Sequence, residues 1–489
     1  MRVWPSWLAA AIALGLGGCD FAPRYAPPSV ALPAQFKDSS ARGIDLSPNQ
    51  PWWRSFDSVS LDHLQDEVEA SNPDLAAAIA ANDAAQAEAQ AAMSGLAPQA
   101  SGIGHITANK QSAKRPLRSS TQPDYFGDNL LGDEVSYEVD IWGRVRNIAG
   151  AANANAQASA DALADARLEL HADLARDYIA LRGLDDEIRL LETTIGIYRD
   201  ALSLTKSRLA AQIVSPVDVD RAQTQLSSAE AQASDLRLRR ERLENAIATL
   251  VGQASSSYEL PEAERPMRFP SRPRAVPTDL LRRRPDVAEQ ERLTAAASQD
   301  IGVARADFLP RISVLALGGT QATGLSLFNP TNALGSIGPS FTVPIFDAGL
   351  HEAELKVAKA DFTQAAERYR STVLTAVREV DDSLASLKWL ATEYRQTSTA
   401  AAAAQDAAKL SMTLYRDGAS SFLDVVTAQS AALDERRLAI ALHTRELEAN
   451  VDLMLALGGG WAATPAATPR VDLTPPPIQF IEEQTRPHP

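Results

Sequence analysis

Val135-Ser136-Tyr137-Glu138-Val139-Asp140-Ile141-Trp142-Gly143 reads as a strand running into the start of a helix. Apolar and polar side chains alternate along it. A period of two puts Val135, Tyr137, Val139 and Ile141 on one face and Ser136, Glu138 and Asp140 on the other. A second copy has Ile337, Phe341, Val343 and Ile345 apolar, with Ser340 and Thr342 between them, and ends at Gly349. Weaker partner strands are expected over residues 98–109 and 310–320. One reading is a small soluble hairpin on a globular domain. The other is a membrane sheet with one face toward lipid and one toward water. Four strands alone leave open edges, which a bilayer does not tolerate, so a membrane sheet requires several chains to close one barrel.

Proline divides the rest of the chain into rods and joints, because helix interiors exclude it. None occurs from Ile345 to Thr464, and only Pro216 lies between Gly143 and Leu260. Residues 20–51 hold six prolines, 261–285 six, and 461–489 seven. The proline-free stretches carry heptads. Leu174, Leu181, Ile188, Ile195, Leu202 and Leu209 recur every seven residues, and Val373, Val377, Val380, Leu384 and Leu387 step by four and three. That spacing places one narrow apolar stripe on each helix, the seam of a coiled coil. Residues 144–210 predict a rod roughly 100 Å long at ~1.5 Å per residue. Asp185-Asp186 and Asp381-Asp382, on such helices, read as solvated faces.

The two halves repeat each other. Asn72-Pro73-Asp74-Leu75 matches Arg284-Pro285-Asp286-Val287 at an offset of 212. Gly143/Gly349, Leu181/Leu387, Ser215/Ser421 and Asp218/Asp424 share an offset of 206. Each repeat reads helix, strand, loop, strand, long helix, turn, long helix. The expected organisation is a signal over 1–18, an extended segment over 19–57, a first repeat over 58–260, a linker over 261–283, a second repeat over 284–460 and a tail over 461–489.

The start of the chain reads as an address. Arg2 precedes the apolar run Trp7–Leu16, then small residues end at Leu16-Gly17-Gly18-Cys19. Cys19 is the only cysteine among 489 residues; the stretch resembles the lipobox of bacterial lipoproteins, which implies a lipidated first residue carrying palmitate, and the other reading is an ordinary secretory signal with a chance cysteine. The formal net charge of −15 argues against a nucleic-acid partner. One cysteine and six scattered histidines give no metal-binding pattern, and there is neither a P-loop nor a GxSxG, so an enzyme is the least favoured class and no cofactor is expected.

Several motifs together resemble the outer membrane efflux protein family, the TolC-like channels, and within it the NodT-type outer membrane lipoproteins. They are the lipobox, Pro51-Trp52-Trp53-Arg54-Ser55-Phe56-Asp57, the two helix starts at Asn72 and Arg284, the Tyr137–Gly143 stretch and the two turns between long helices. The resemblance covers about residues 20–460. It implies a mainly α fold with a small β part. Three chains, as a homotrimer, each give four strands to one 12-stranded transmembrane β-barrel, and their long antiparallel helices form a periplasmic α-barrel. Ser136, Glu138 and Asp140 then face the water-filled lumen, and Val135, Tyr137, Val139 and Ile141 face outer membrane lipid. The implied partners are a periplasmic adaptor and an inner membrane resistance-nodulation-division transporter.

The turns carry the expected site. In Leu414-Tyr415-Arg416-Asp417-Gly418-Ala419-Ser420-Ser421-Phe422-Leu423-Asp424, Gly418 is suited to ending one helix left-handed and Ser420 or Ser421 to capping the next. By resemblance this turn and its counterpart at Gln212 and Ser215 lie at the periplasmic tip. There Gln212, Ser215, Arg416, Gly418 and Ser421 would meet the adaptor, and Asp218 and Asp424 would line the closed aperture. A favourable charge in the first turn of a helix is an equally good reading of both aspartates. Gln212 in place of glycine suggests a looser first turn. Thr427 stands where some members carry a second acid. Asp20 follows the cysteine; in enteric bacteria an aspartate there tends to hold lipoproteins at the inner membrane, and the strand pattern outweighs it. The expected function is the exit duct of a tripartite efflux system for drugs or small toxic compounds. The alternatives are the duct of a type I protein secretion system and, from another class, a pore-less periplasmic coiled-coil scaffold.

Overall fold

The computed structural model describes residues 20–33, 36–37, 51–112, 114–115, 119, 121, 123–262, 267, 269 and 284–459. The expected signal, Cys19, the tail over 461–489 and most of the linker lie outside the described residues. Two short helices come first, α1 (Val59–Ser71) and α2 (Pro73–Ser94). Strands β1 (Gln99–Lys110) and β2 (Tyr125–Glu138) precede the hairpin of α3 (Arg144–Ala210) and α4 (Pro216–Leu250). The order then repeats as α5 (Pro285–Ala306), β3 (Arg311–Ala322), β4 (Ala333–Thr342), α6 (Leu350–Arg416) and α7 (Phe422–Ala456).

The repeat is metrically exact in its helices. Helices α3 and α6 each have 67 residues, and α4 and α7 each have 35. Both helix starts grip the end of their own hairpin. Asn72 Nδ2 donates to Leu250 O at 2.7 Å, and Arg284 Nη1 donates to Ala456 O at 3.2 Å. The same junction is thus made by an amide in one copy and a guanidinium in the other.

The seams bury as their spacing predicts. Leu174, Leu181 and Ile188 on α3, and Val373, Val380 and Leu387 on α6, are buried. Aromatic scarcity is met with alanine: Ala172, Ala175, Ala222, Ala229 and Ala233 are buried and let the helices approach closely. The larger side chains gather at mid-height, where Trp52, Phe56, Leu61 and Val68 pack against Leu174, Tyr178 and Ile247. Further along α3, its seam meets α4 and the other hairpin, with Tyr198, Leu226 and Leu236 in one cluster with Tyr415 and Phe422.

The four strands form one antiparallel sheet in the order β1-β2-β3-β4, with Gln99 opposite Ser136, Asn129 opposite Ala322 and Arg311 opposite Thr342. Both partner strands fall within two residues of expectation. The alternation, however, overreaches at its end. Strand β2 stops at Glu138, because Asp140 turns its carboxylate to the start of α3 and accepts from the backbone N–H of Val145 and Arg146 at 3.1 and 2.9 Å. Strand β4 stops at Thr342, two residues before Pro344, which has no N–H to extend a ladder.

The two helical turns have the same geometry, against the expectation of a looser first one. Gln212 takes φ 56° and Gly418 φ 76°. Ile213 N donates to Arg208 O at 2.9 Å, and Ala419 N to Leu414 O at 2.8 Å, which closes both helices alike. Gln212 therefore adopts a backbone conformation that glycine occupies without penalty.

Asp185 is a second correction. Its side chain is fully buried, and it pairs with Arg182 at 2.8 Å and Arg240 at 2.7 Å. The two guanidiniums go on to the carbonyls of Pro261 and Leu260, both at 2.6 Å, where the chain leaves the first repeat. The carboxylate lies inside the contact of α3 and α4, where the returning chain seals it from water.

Two outcomes follow. Asp185→Ala strands two enclosed guanidiniums and should cost about 3–5 kcal/mol, read as a lower midpoint in denaturant unfolding of detergent-solubilised protein; an unchanged midpoint would count against the clamp. Gln212→Gly should stabilise its turn by about 0.5–1 kcal/mol, while Gly418→Gln should weaken the other by about 1 kcal/mol. Hydrogen exchange in the turn peptides measures both, and the opposite ranking would reject the backbone account.

Candidate functional site: the hairpin tips and the sheet-to-helix joints

Each tip is built by a cap. Ser215 Oγ accepts from Val217 N at 3.3 Å, with Pro216 as the first residue of α4. On α7, Ser421 and Asp424 form a reciprocal capping box. Asp424 N donates to Ser421 Oγ at 3.4 Å, and Ser421 N donates to Asp424 Oδ2 at 3.0 Å. Of the two candidate serines, Ser421 is thus the cap. Asp218 and Asp424 occupy equivalent first-turn positions, as the repeat predicts. Asp218 lies 3.5 Å from Arg221, while Asp424 is engaged with the cap. Their helix-start role is visible within the chain. Gln212, Ser215, Arg416, Gly418 and Ser421 are all exposed around the two turns. Thr427 Oγ1 donates to Leu423 O at 2.9 Å, within its own helix.

Sequence reasoning missed Arg208. Its guanidinium donates to Tyr415 O at 2.7 Å and Arg416 O at 2.6 Å, and it lies 4.5 Å from the centre of the Tyr415 ring. It thus satisfies carbonyls at the end of α6 and ties the two hairpins together beside their turns. The available signal was a break in the repeat: Arg208 stands where the second copy has Leu414. Higher up, Arg437 of α7 reaches Glu187 at 3.2 Å and Gln232 at 3.0 Å on the first hairpin.

The other end of the rods begins at Gly143 and Gly349, with φ 80° and 86°. Positive φ at the residue before each helix lets the short joint, residues 139–143 or 343–349, turn sharply into it. Glu138 pairs with Arg144 at 2.6 Å, and Trp142 Nε1 donates to Pro310 O at 2.8 Å, so the joint is braced across both repeats. In the second copy Asp347 accepts from Gly349 N at 2.9 Å and His351 N at 3.1 Å, doing the work of Asp140.

A cavity of about 330 Å³ lies among α3, α5, α6 and α7, lined by Asp165, Glu169, Arg176, Arg284 and Glu379. Arg284 holds Glu379 at 2.6 Å and Asp286 at 2.7 Å, which makes the cavity a charged junction between helices. Burial, with Asp286 and Glu169 nearby, pushes the Asp165 carboxyl up to about 7. Among the described residues no group of three or more His, Cys, Asp and Glu could hold a metal ion, and no helix is long and apolar enough to cross a membrane.

Comparison with known proteins agrees with this geometry. The chain is 29% identical to outer membrane protein OprJ of Pseudomonas aeruginosa over 458 residues, covering 93% of this chain and 95% of OprJ. It is 28% identical to the toluene efflux pump outer membrane protein TtgC of Pseudomonas putida, covering 92% and 95%. The solved outer-membrane channel OprN superposes with a TM-score of 0.85 at 27% identity, over 91% of this chain and all of that one. The model of the family described as outer membrane efflux protein matches residues 64–253 and 276–459, and the chain belongs to that family.

Proposed function

We propose that three copies of this chain join edge to edge and act as the outer membrane exit duct of a tripartite efflux system. The observation that carries this is the pairing of a four-stranded sheet, open at β1 and β4, with two equal helical hairpins. Three such sheets supply twelve strands. The hairpins extend the same wall away from the membrane, toward a periplasmic adaptor and an inner membrane transporter of the resistance-nodulation-division class. The exposed tip residues Gln212, Ser215, Arg416, Gly418 and Ser421 are the adaptor contact in this reading. The duct moves cargo passively, and the energy comes from its partners. The relatives' names favour small toxic compounds over secreted proteins as cargo.

Asp218 and Asp424 form acidic rings at the tip. The rings draw cations toward the aperture and resist constriction, because like charges repel most where little water remains. Cys19 carries the acyl anchor, a reading supported by its place as the single cysteine of the chain, directly after Leu16-Gly17-Gly18.

In planar bilayers the purified protein should give single-channel steps, whereas a scaffold would conduct nothing. Asp218→Asn combined with Asp424→Asn keeps an acceptor oxygen for each helix start and removes the charge. The double variant should show raised mean conductance and reduced cation preference; unchanged values of both reject the gate. Cys19→Ser should abolish labelling by radioactive palmitate, and persistent labelling would rule out that residue as the anchor.

A further inference from the structure

The register of the sheet sorts its side chains into two faces. Glu134 lies opposite Ser101 and Asp128 opposite Thr107, and β3 and β4 carry the same face on with Ser313 opposite Ser340. That face is largely polar. The other holds Val135, Val314, Ile337 and Phe341, with Asp133, between Gly102 and Gly318, as its exception. In a closed barrel the apolar face meets lipid and the polar face lines the water.

One station on the polar face is built from three strands. His105 of β1 lies opposite Leu130, and so shares the face of Asp128, two residues away on β2. Its Nε2 is 3.6 Å from Asp128 Oδ2. Gln321 Nε2 of β3 donates to the other oxygen, Oδ1, at 2.8 Å. Thr107 Oγ1 donates to the Asp128 carbonyl O at 3.0 Å and accepts from Asn109 Nδ2 at 2.8 Å. The carboxylate is thus fixed by an amide that cannot change charge, and it faces an imidazole that can.

We propose that His105 and Asp128, repeated in three chains, form a belt inside the barrel whose charge follows the acidity outside the cell and sets how strongly the duct favours cations. This rests on the trimeric duct reading above. With neutral imidazoles each station keeps its carboxylate charge; with imidazolium that charge is cancelled. Fixed charge on the wall of a water-filled pore sets the local concentration of counter-ions. The surroundings leave the switch to this pair. On the same face β2 adds Glu134, about 20 Å along the strand, and Glu138, held by Arg144 at 2.6 Å. On β3 Arg311 is paired with Asp307 at 2.6 Å. β4 has no charged residue over Ala333–Thr342, so the strand that a neighbouring copy lays beside β1 brings none. Lys110 belongs to the other face and lies 5.2 Å from the centre of the Tyr125 ring.

The test is the reversal potential of the full-length protein in planar bilayers, under a gradient around 0.1 M salt, between pH 5 and 8, where histidine changes charge. The parent is the Asp218→Asn, Asp424→Asn double variant, so that carboxylates at the tips do not mask the barrel. Its ratio of cation to anion permeability should fall by about twofold or more from the alkaline to the acid end. At about 1 M salt, where screening acts within about 3 Å, the fall should fade. Adding His105→Asn should hold the ratio near its alkaline value throughout, and His105→Lys near its acid value. A parent with a constant ratio overturns the belt, as does a His105→Asn channel that follows pH like its parent. His105→Cys and Ile106→Cys check the face. A charged, membrane-impermeant thiol reagent should reduce the current of the first and leave that of the second unchanged; no effect on His105→Cys overturns the lumen placement. Channels that never conduct, wild type included, count against the duct and take the belt with it, whereas steady conductance blind to His105 sinks the belt alone.

Discussion

The backbone groups along two strand edges constrain everything else. Among the described residues β1 pairs only with β2, and β4 only with β3, leaving edges of 12 and 10 residues unpaired there. In hydrocarbon each unmet N–H or C=O costs several kcal/mol, so a lone sheet of this kind has no stable place in a membrane. Closure with sibling sheets satisfies both edges at once. The helical rods inherit the resulting symmetry, because each hairpin grows from the sheet through a short joint, residues 139–143 in one copy and 343–349 in the other.

Duplication supplies the rods, and the two copies meet equal structural demands with unequal residues. An amide at Asn72 and a guanidinium at Arg284 hold corresponding carbonyls. Gln212 and Gly418 turn the same corner, one under strain and one without. Arg208 has no counterpart, and it is the residue that binds one hairpin to the other beside the tips. Shared features fix the frame, and differences between copies make the links that cannot be symmetric.

The helices were legible because heptads, proline exclusion and caps act locally and add over many residues. The tip turns were legible for the same reason, although Gln212 concealed that its turn matches the other. The strands were legible only in part. Asp128, Asn129 and Asp133 dilute the alternation in β2 ahead of Val135, and Asp140 and Pro344 end the strands for reasons of helix capping and missing donors that alternation does not register. Asp185 and Arg208 were illegible because their roles depend on partners 55 and 207 residues away. The course of residues 20–33 was hidden for another reason: their prolines suggest an extended segment but do not reveal that Ala22 lies against Gly302 of α5.

The matched 67-residue helices carry a consequence for how such a duct changes length. A closed ring of staves keeps a level rim only if all are equal. A heptad added to one copy alone would leave three tall and three short columns around the circle and stagger the mouth presented to any partner. Changes of reach must therefore arrive in both copies together, and in the descending arms as well, so the depth of the compartment that the duct can bridge advances in quanta of paired insertions.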